Sequence, residues 1–306
     1  MTIKRVKPLI KGDTIGLTAP AGPVDSEKLQ VAISRINEMG FNVEVGKTCY
    51  EKYGGYLAGT PENRAKELNA MFMNKGISAI FCLRGGYGSM HLLPLLNYEA
   101  IAMNPKLFVG YSDITALHIV LQQKCHLPTI HGPMPASDLV NANDFTIQSL
   151  KNVLLQYPFK GKVKNPDNER IGCLVPGTAS GMLIGGNLSV LVSTLGTPYE
   201  IDTKGKILFL EDIGEEPYRI DRMLTQLALA GKFSESAGIV LGTWTECTSE
   251  RYSDGFKVED LFGKIIAPIG KPTIFNVKAG HGNPTLALPL GLTAYMDAEN
   301  GWLSFG

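Results

Sequence analysis

The chain of 306 residues is long for a single hydrophobic core, and its 44 % hydrophobic content is enough to fill two. Lysine plus arginine and aspartate plus glutamate number 29 each, so the formal net charge is zero and the balance gives no case for nucleic acid or an anionic membrane as partner. No apolar run approaches the roughly 20 residues of a spanning helix, which leaves a small molecule or a second copy of the chain as the expected partner.

Taken from the N-terminus, Thr14–Ala19 reads as a strand that breaks at Pro20, Ala21, Gly22 and Pro23. Ser26–Met39 follows as a helix with Leu29, Ile33 and Ile36 on one face and Gly40 as its stop. Phe41–Val45 is the next strand, and Pro61–Asn74 is helical, with Pro61 in its first turn and Leu68, Met71 and Phe72 apolar. Ile77–Leu83 is a strand ending in Arg84, Gly85, Gly86, Tyr87, Gly88 and Ser89. Leu107, Phe108 and Val109 form a further buried strand, Gly110 allows a tight backbone, and Ile114, Leu117, Val120 and Leu121 recur at helical spacing. A short strand is expected within Pro128–Pro133. Apolar runs alternating with amphipathic segments give a parallel sheet covered by helices, and the Pro20, Arg84 and Ser112 loops all fall at the carboxyl ends of its strands, where ligands collect.

Tyr157–Pro176 is rich in Lys, Asn, Pro and Gly and reads as a linker between an N-terminal α/β domain, residues 1–156, and a C-terminal domain, residues 177–306. In the latter, strands at Gly181–Ile184, Lys206–Leu210, Ala237–Leu241 and Thr293–Asp297 mix with helices at Leu188–Leu195 and Tyr218–Ala230. A smaller α+β domain with a mixed or barrel-like sheet is expected.

Three weak signals bear on chemistry. Ser112 stands where a strand meets a helix, which suits an ordinary N-terminal cap first, and after it a nucleophile whose carbonyl target would face the first helical N–H groups. Glycines without a Cβ at Arg84–Ser89 allow close backbone approach, as an oxyanion hole needs, and Gly86 is chosen within that run. His281 is flanked by Gly280 and Gly282, and the apolar strand Leu208–Leu210 delivers Glu211 and Asp212 at its end, where a carboxylate can hold the Nδ1–H of His281. His118 lies on the helix after Ser112 and points away from it, so it is expected to be packed or surface-exposed and not a base for Ser112. The histidines form no HExxH or HxH pattern, and the glycine run is neither GxGxxG nor a phosphate-binding loop, so no metal or organic cofactor is expected. Cys49, Cys82, Cys125, Cys173 and Cys247 are odd in number with no CxxC pair, and Met1–Pro8 lacks the pattern of a secretion leader. A cytoplasmic protein with reduced thiols is expected.

These blocks are ordered along almost the whole chain: Gly12–Pro23, Arg84–Gly88, Pro105–His118, His131–Met134, Gly185–Ser189, Phe209–Ile213 with Tyr218–Arg222, and Gly280–Gly282. On them the sequence resembles the serine LD-carboxypeptidases, or muramoyltetrapeptide carboxypeptidases, whose sister branch holds the microcin-immunity serine peptidases. The resemblance implies an N-terminal flavodoxin-like domain related to class I glutamine amidotransferases and a C-terminal β-rich swivelling domain. It implies Ser112 as nucleophile, His281 as base and then acid, Glu211 as its orienting carboxylate, and oxyanion donors from Asp113 N–H and a glycine of the Arg84 loop. It also implies a murein tetrapeptide substrate that loses terminal D-Ala during cytoplasmic cell-wall recycling, and a homodimer. Arg84, by charge and position, is a candidate for the substrate's terminal carboxylate.

Two rivals are separable. A microcin-type peptidase would need an aromatic loop for a nucleobase, for which Thr243–Tyr252 is the available stretch. A non-catalytic peptide-binding protein on the same fold would have no use for Ser112, Glu211 and His281 together.

Overall fold

A computed structural model of the chain describes residues 3–249, 251–252 and 254–306. Its first compact unit runs to Phe159 and takes in Leu286–Gly291; the second comprises Lys160–Thr285 and Leu292–Gly306.

The first unit is built on β1 (Thr14–Thr18), β2 (Asn42–Val45), β3 (Ala79–Cys82), β4 (Leu107–Gly110) and β5 (Thr129–His131), in the order β2-β1-β3-β4-β5 and parallel throughout. This is the flavodoxin-like doubly wound order, and the winding reverses between β1 and β3. Helices α1 (Ser26–Glu38), α2 (Pro61–Met73), α3 (Tyr98–Met103), α4 (Thr115–Cys125) and α5 (Asp144–Leu155) complete it. Strands β3 and β4 are buried at every position, which is why they read as unbroken apolar runs. Helix α2 starts as its sequence dictates, with Pro61 in the first turn and Thr60 Oγ1 accepting the Asn63 N–H at 3.3 Å. Helix α4 is buried at every residue from Thr115 to Gln122, so it is a core helix apolar nearly all round.

His118 is one of the residues sealed in by α4. Its Nε2–H donates to Gly110 O at 2.8 Å, its ring meets Phe108 edge-on at 5.7 Å, and burial pulls its pKa down to about 4. Between that value and the ~6.5 of an unfolded histidine, the unfolded chain holds the extra proton. Stability is therefore lost as pH falls through this window, by about 3 kcal/mol from this group. Asp113 and Asp212, whose carboxyls burial raises, act in the opposite sense. The test is accordingly a difference: urea midpoints between pH 7 and 4 are expected to fall less for His118→Gln, which keeps an N–H for Gly110 O, than for the unchanged protein. Identical pH slopes would remove the assignment.

The second unit is a single mixed sheet of β6 (Gly161–Lys162), β7 (Gly172–Val175), β8 (Thr178–Asn187), β9 (Ile207–Ile213), β10 (Gly238–Thr245), β11 (Thr273–Phe275) and two later strands. Strands β8 to β11 are parallel neighbours. Both flanks are antiparallel, with β7 on β11 at one side and β13 (Thr293–Asp297), β14 (Trp302–Phe305) and β6 beyond β8 at the other. Helices α6 (Leu188–Ser193) and α7 (Pro217–Leu229) lie between strands. The stretch read as a linker, Tyr157–Pro176, holds β6 and β7. Strand β9 runs on to include Glu211 and Asp212, and β10 runs on through Thr243 to Thr245 after a register shift between Leu241 and Trp244. Strand β12 (Leu288–Leu290), where the sequence suggests none, returns to the first unit and pairs antiparallel with β5, Leu288 opposite His131.

Candidate active site

After β4 ends at Gly110, Tyr111 is extended and Ser112 opens a 3₁₀ turn (Ser112–Ile114) that leads into α4. Ser112 has a φ of 65°, a left-handed conformation that costs a residue with a Cβ about 1–2 kcal/mol. A capping residue is extended, so the backbone at Ser112 is not that of a cap. Gly85 makes the turn possible: a Cβ there would stand 2.9 Å from Ser112 Cβ and 3.1 Å from its Oγ. The Gly22 N–H donates to Gly85 O at 3.1 Å, and Gly86, at φ 121°, lies against Gly22. The loop after β3 therefore lies between Ser112 on one side and the loop after β1 on the other.

Two arginines treat these loops differently. Arg84 is exposed and its Nη1 donates to Pro23 O at 3.3 Å, leaving a cation at the rim. Arg64, in α2, is fully buried: its Nε donates to Gly59 O at 3.1 Å and its Nη1 to Pro20 O at 2.6 Å and Gly88 O at 2.9 Å. One guanidinium thus ties three loops, a task its five fixed donors suit. Sequence reasoning missed it, although Arg64 lies four and seven residues before Leu68 and Met71, on the buried stripe of α2. Asp113 turns inward, where Oδ2 accepts the Ser89 N–H at 2.8 Å and its backbone O accepts the Ser89 hydroxyl. Burial raises its carboxyl pKa, against the Ser89 hydrogen bonds and the charge of Arg64.

In the second unit, successive residues of β9 face opposite sides, and Glu211 and Asp212 divide accordingly. Glu211 is fully buried, and its Oε2 accepts both the His281 backbone N–H at 3.2 Å and the ring Nδ1–H at 2.7 Å. Asp212 instead holds the start of α6, accepting from Ser189 N–H at 2.9 Å, Ser189 Oγ at 2.6 Å and Asn187 Nδ2 at 2.8 Å. Burial raises its carboxyl, and the neighbouring Glu211 charge adds to the shift.

The loop bearing His281 is fixed by hydroxyls from threonines: Thr243 donates to Ala279 O, Thr245 to His281 O and Thr285 to Gly280 O. Gly280, at φ 114°, is where the loop passes closest to the carboxylate, since a Cβ there would lie 2.5 Å from Glu211 Oε2. With Nδ1–H committed to Glu211, any proton exchange with a neighbouring group would run through Nε2.

The structure thus places Ser112, Asp113, Gly86 and Arg84 in the first unit, with Gly85 and not Gly86 against Ser112, and pairs Glu211 with His281 in the second. Among the described residues no group of three His, Cys, Asp or Glu side chains is placed to hold a metal, and no helix is long and apolar enough to cross a membrane. Trp244, in the stretch weighed for nucleobase stacking, packs against Phe262 with ring centroids 5.2 Å apart. Tyr252 is exposed, and Glu250 lies outside the described residues, as do Met1 and Thr2 at the chain start.

A strained serine at a strand-to-helix turn and an imidazole oriented by a buried carboxylate are the working parts of hydrolases that pass through an acyl-enzyme. Residues 15–132 match the LD-carboxypeptidase N-terminal domain, and residues 180–296 match the LD-carboxypeptidase C-terminal domain. The chain is 41 % identical to a probable murein peptide carboxypeptidase of Bacillus subtilis, over 95 % of its own length and 91 % of the relative's. Among solved structures, muramoyltetrapeptide carboxypeptidase from Oxalobacter formigenes superposes with a TM-score of 0.84 at 30 % identity, covering 95 % of this chain and 97 % of that one. MccF in complex with glutamyl sulfamoyl guanosine gives 0.91 at 26 % identity, covering 98 % and 97 %. The protein belongs to the LD-carboxypeptidase family of serine peptidases.

Proposed function

We propose that this protein is a serine LD-carboxypeptidase that removes the terminal D-Ala of murein tetrapeptides by cleaving its bond to the L-centre of the third residue, in cytoplasmic recycling of peptidoglycan. Ser112 Oγ attacks that carbonyl while His281 Nε2 takes its proton, and Glu211 stabilises the imidazolium that results. The N–H groups of Asp113 and Gly86 receive the oxyanion. His281 then protonates the leaving amine of D-Ala, and water activated by the same imidazole releases the shortened peptide. Arg84 takes the free carboxylate of the departing residue. The observation that carries this reading is Ser112 at φ 65° with Gly85 against its side chain, an arrangement that capping does not require. The murein peptide carboxypeptidase similarity supports the substrate class.

The substrate assignment is tested by stem length. Tetrapeptides ending in D-Ala are expected to be cleaved, and pentapeptides ending in D-Ala-D-Ala to be cleaved at least ~10²-fold more slowly. Their scissile carbonyl belongs to a D residue, and a carbonyl misplaced by about 1 Å costs that much. Mass spectrometry of the products decides it: equal rates on both stems, or on a C-terminally amidated tetrapeptide, would leave a serine hydrolase without this specificity.

A further inference from the structure

The two oxyanion donors assigned above, the N–H groups of Asp113 and Gly86, belong to segments well separated in sequence. Such a pair of donors works only while its spacing is fixed. Within the first unit the stretch Gly85–Ser89 is fastened to the nucleophile's turn at both of its ends. At one end Gly85 closes on the turn, where a Cβ would stand 2.9 Å from Ser112 Cβ and 3.5 Å from Asp113 N. At the other end Ser89 makes two bonds to one residue: its N–H donates to Asp113 Oδ2 at 2.8 Å, and its hydroxyl donates to Asp113 O. Gly86 lies between the two fastenings. Ser89 is fully buried and Asp113 nearly so, and water does not compete for these bonds.

Arg64 holds the same stretch one residue earlier. Its Nη1 donates to Gly88 O at 2.9 Å, and a Cβ on Gly88, at φ 103°, would lie 3.2 Å from that nitrogen. Its charge, with the N–H groups of Ser89 and Gly88, also favours the ionised form of the Asp113 carboxyl against burial. The other bonds of Arg64, to the carbonyls of Pro20 and Gly59, satisfy groups that the fold turns inward, a structural task. The Ser89 hydroxyl has a narrower target, the residue directly after the nucleophile. With its carboxylate and its carbonyl both held, Asp113 is not free to swing its N–H away from Ser112.

We propose that Ser89 is a positioning residue for the reaction, supported by Arg64 at the neighbouring Gly88: its two bonds to Asp113 fix the Asp113 N–H relative to that of Gly86 and so set the oxyanion hole. The inference rests on the serine LD-carboxypeptidase reading of the same site.

Ser89→Ala tests it, since this variant deletes the hydroxyl while keeping the N–H bond to Asp113 Oδ2 and filling nearly the same space. On a tetrapeptide ending in D-Ala, kcat is expected to fall about 10–10²-fold, less than the ~10²–10³ of a donor lost outright, with KM within about twofold of the parent. Ser89→Cys, which restores a weaker donor, is expected to fall between the two. The discriminating readout is a stem tripeptide with a boronic acid in place of the scissile carbonyl, whose tetrahedral adduct with Ser112 puts an oxygen where the oxyanion forms. Its affinity is expected to drop by the same factor as kcat/KM. A merely structural role would lower the thermal midpoint and leave the boronate affinity of the folded enzyme as it was. A kcat for Ser89→Ala within twofold of the parent, a loss of kcat with unchanged boronate affinity, or failure of the variant to fold would each overturn the inference while the LD-carboxypeptidase reading stands. Absence of D-Ala release by the unaltered enzyme overturns that reading and this one with it.

Discussion

Ser112→Ala and His281→Ala are each expected to lower kcat on a murein tetrapeptide by a factor on the order of 10⁶, with the double variant no slower than either single one. In the proposed mechanism the two groups form one device, since the imidazole has no task without the hydroxyl whose proton it takes, and the hydroxyl is a poor nucleophile without the base. Release of D-Ala, followed by chromatography over long incubations, gives all three rates against the uncatalysed reaction. Independent, multiplicative losses would show that Ser112 and His281 do not act on one bond. Neither variant should unfold the protein. Ser112→Ala removes one oxygen and keeps the Cβ at a φ of 65°, and His281 belongs to a loop held by the hydroxyls of Thr243, Thr245 and Thr285.

Glu211→Gln is expected to cost a factor on the order of 10³–10⁴ in kcat while leaving the thermal midpoint within a few degrees of the parent. The amide has the shape of the carboxylate, so the buried site stays filled. What changes is the imidazole: a neutral partner no longer stabilises the imidazolium, and an amide N–H turned towards the ring selects the tautomer with its proton on Nε2, where it blocks acceptance from Ser112. A midpoint that collapsed with the activity would make Glu211 a structural residue. Activity within tenfold of the parent would remove it from the reaction.

The parts of this fold that could be read from the residues are those in which local chemistry and tertiary context agree. Leu107, Phe108 and Val109 are apolar because β4 is buried on both faces, and the helical spacing after Ile114 belongs to a real helix, so the junction at Ser112 could be located. Glu211 and Asp212 were harder to separate, being adjacent acids at a strand end. The pleat of β9 separates them, by sending one to His281 and the other to Ser189. Arg64 escaped because its value lies in carbonyls of Pro20, Gly59 and Gly88 that become neighbours only once the sheet is wound. Strand β12 escaped for a similar reason. Leu288, Pro289 and Leu290 are too few to show alternation, a proline interrupts them, and their pairing partner on β5 lies in the other half of the sequence.

That last strand has a consequence for how the chain comes to be folded. The sheet that presents Ser112 lacks its sixth strand until Leu288–Leu290 has been made, and by then the ribosome has already produced Glu211 and His281. A nascent first unit emerges with the hydrogen-bonding groups of β5 uncovered on one side, an open edge of the kind that recruits other chains. The segment that covers it begins at Leu286, five residues beyond the histidine. Completion of the sheet that carries Ser112 and arrival of His281 are thus events of the same late stage of synthesis, and a chain cut short before Leu286 forfeits the edge strand even where it retains every residue of the proposed chemistry.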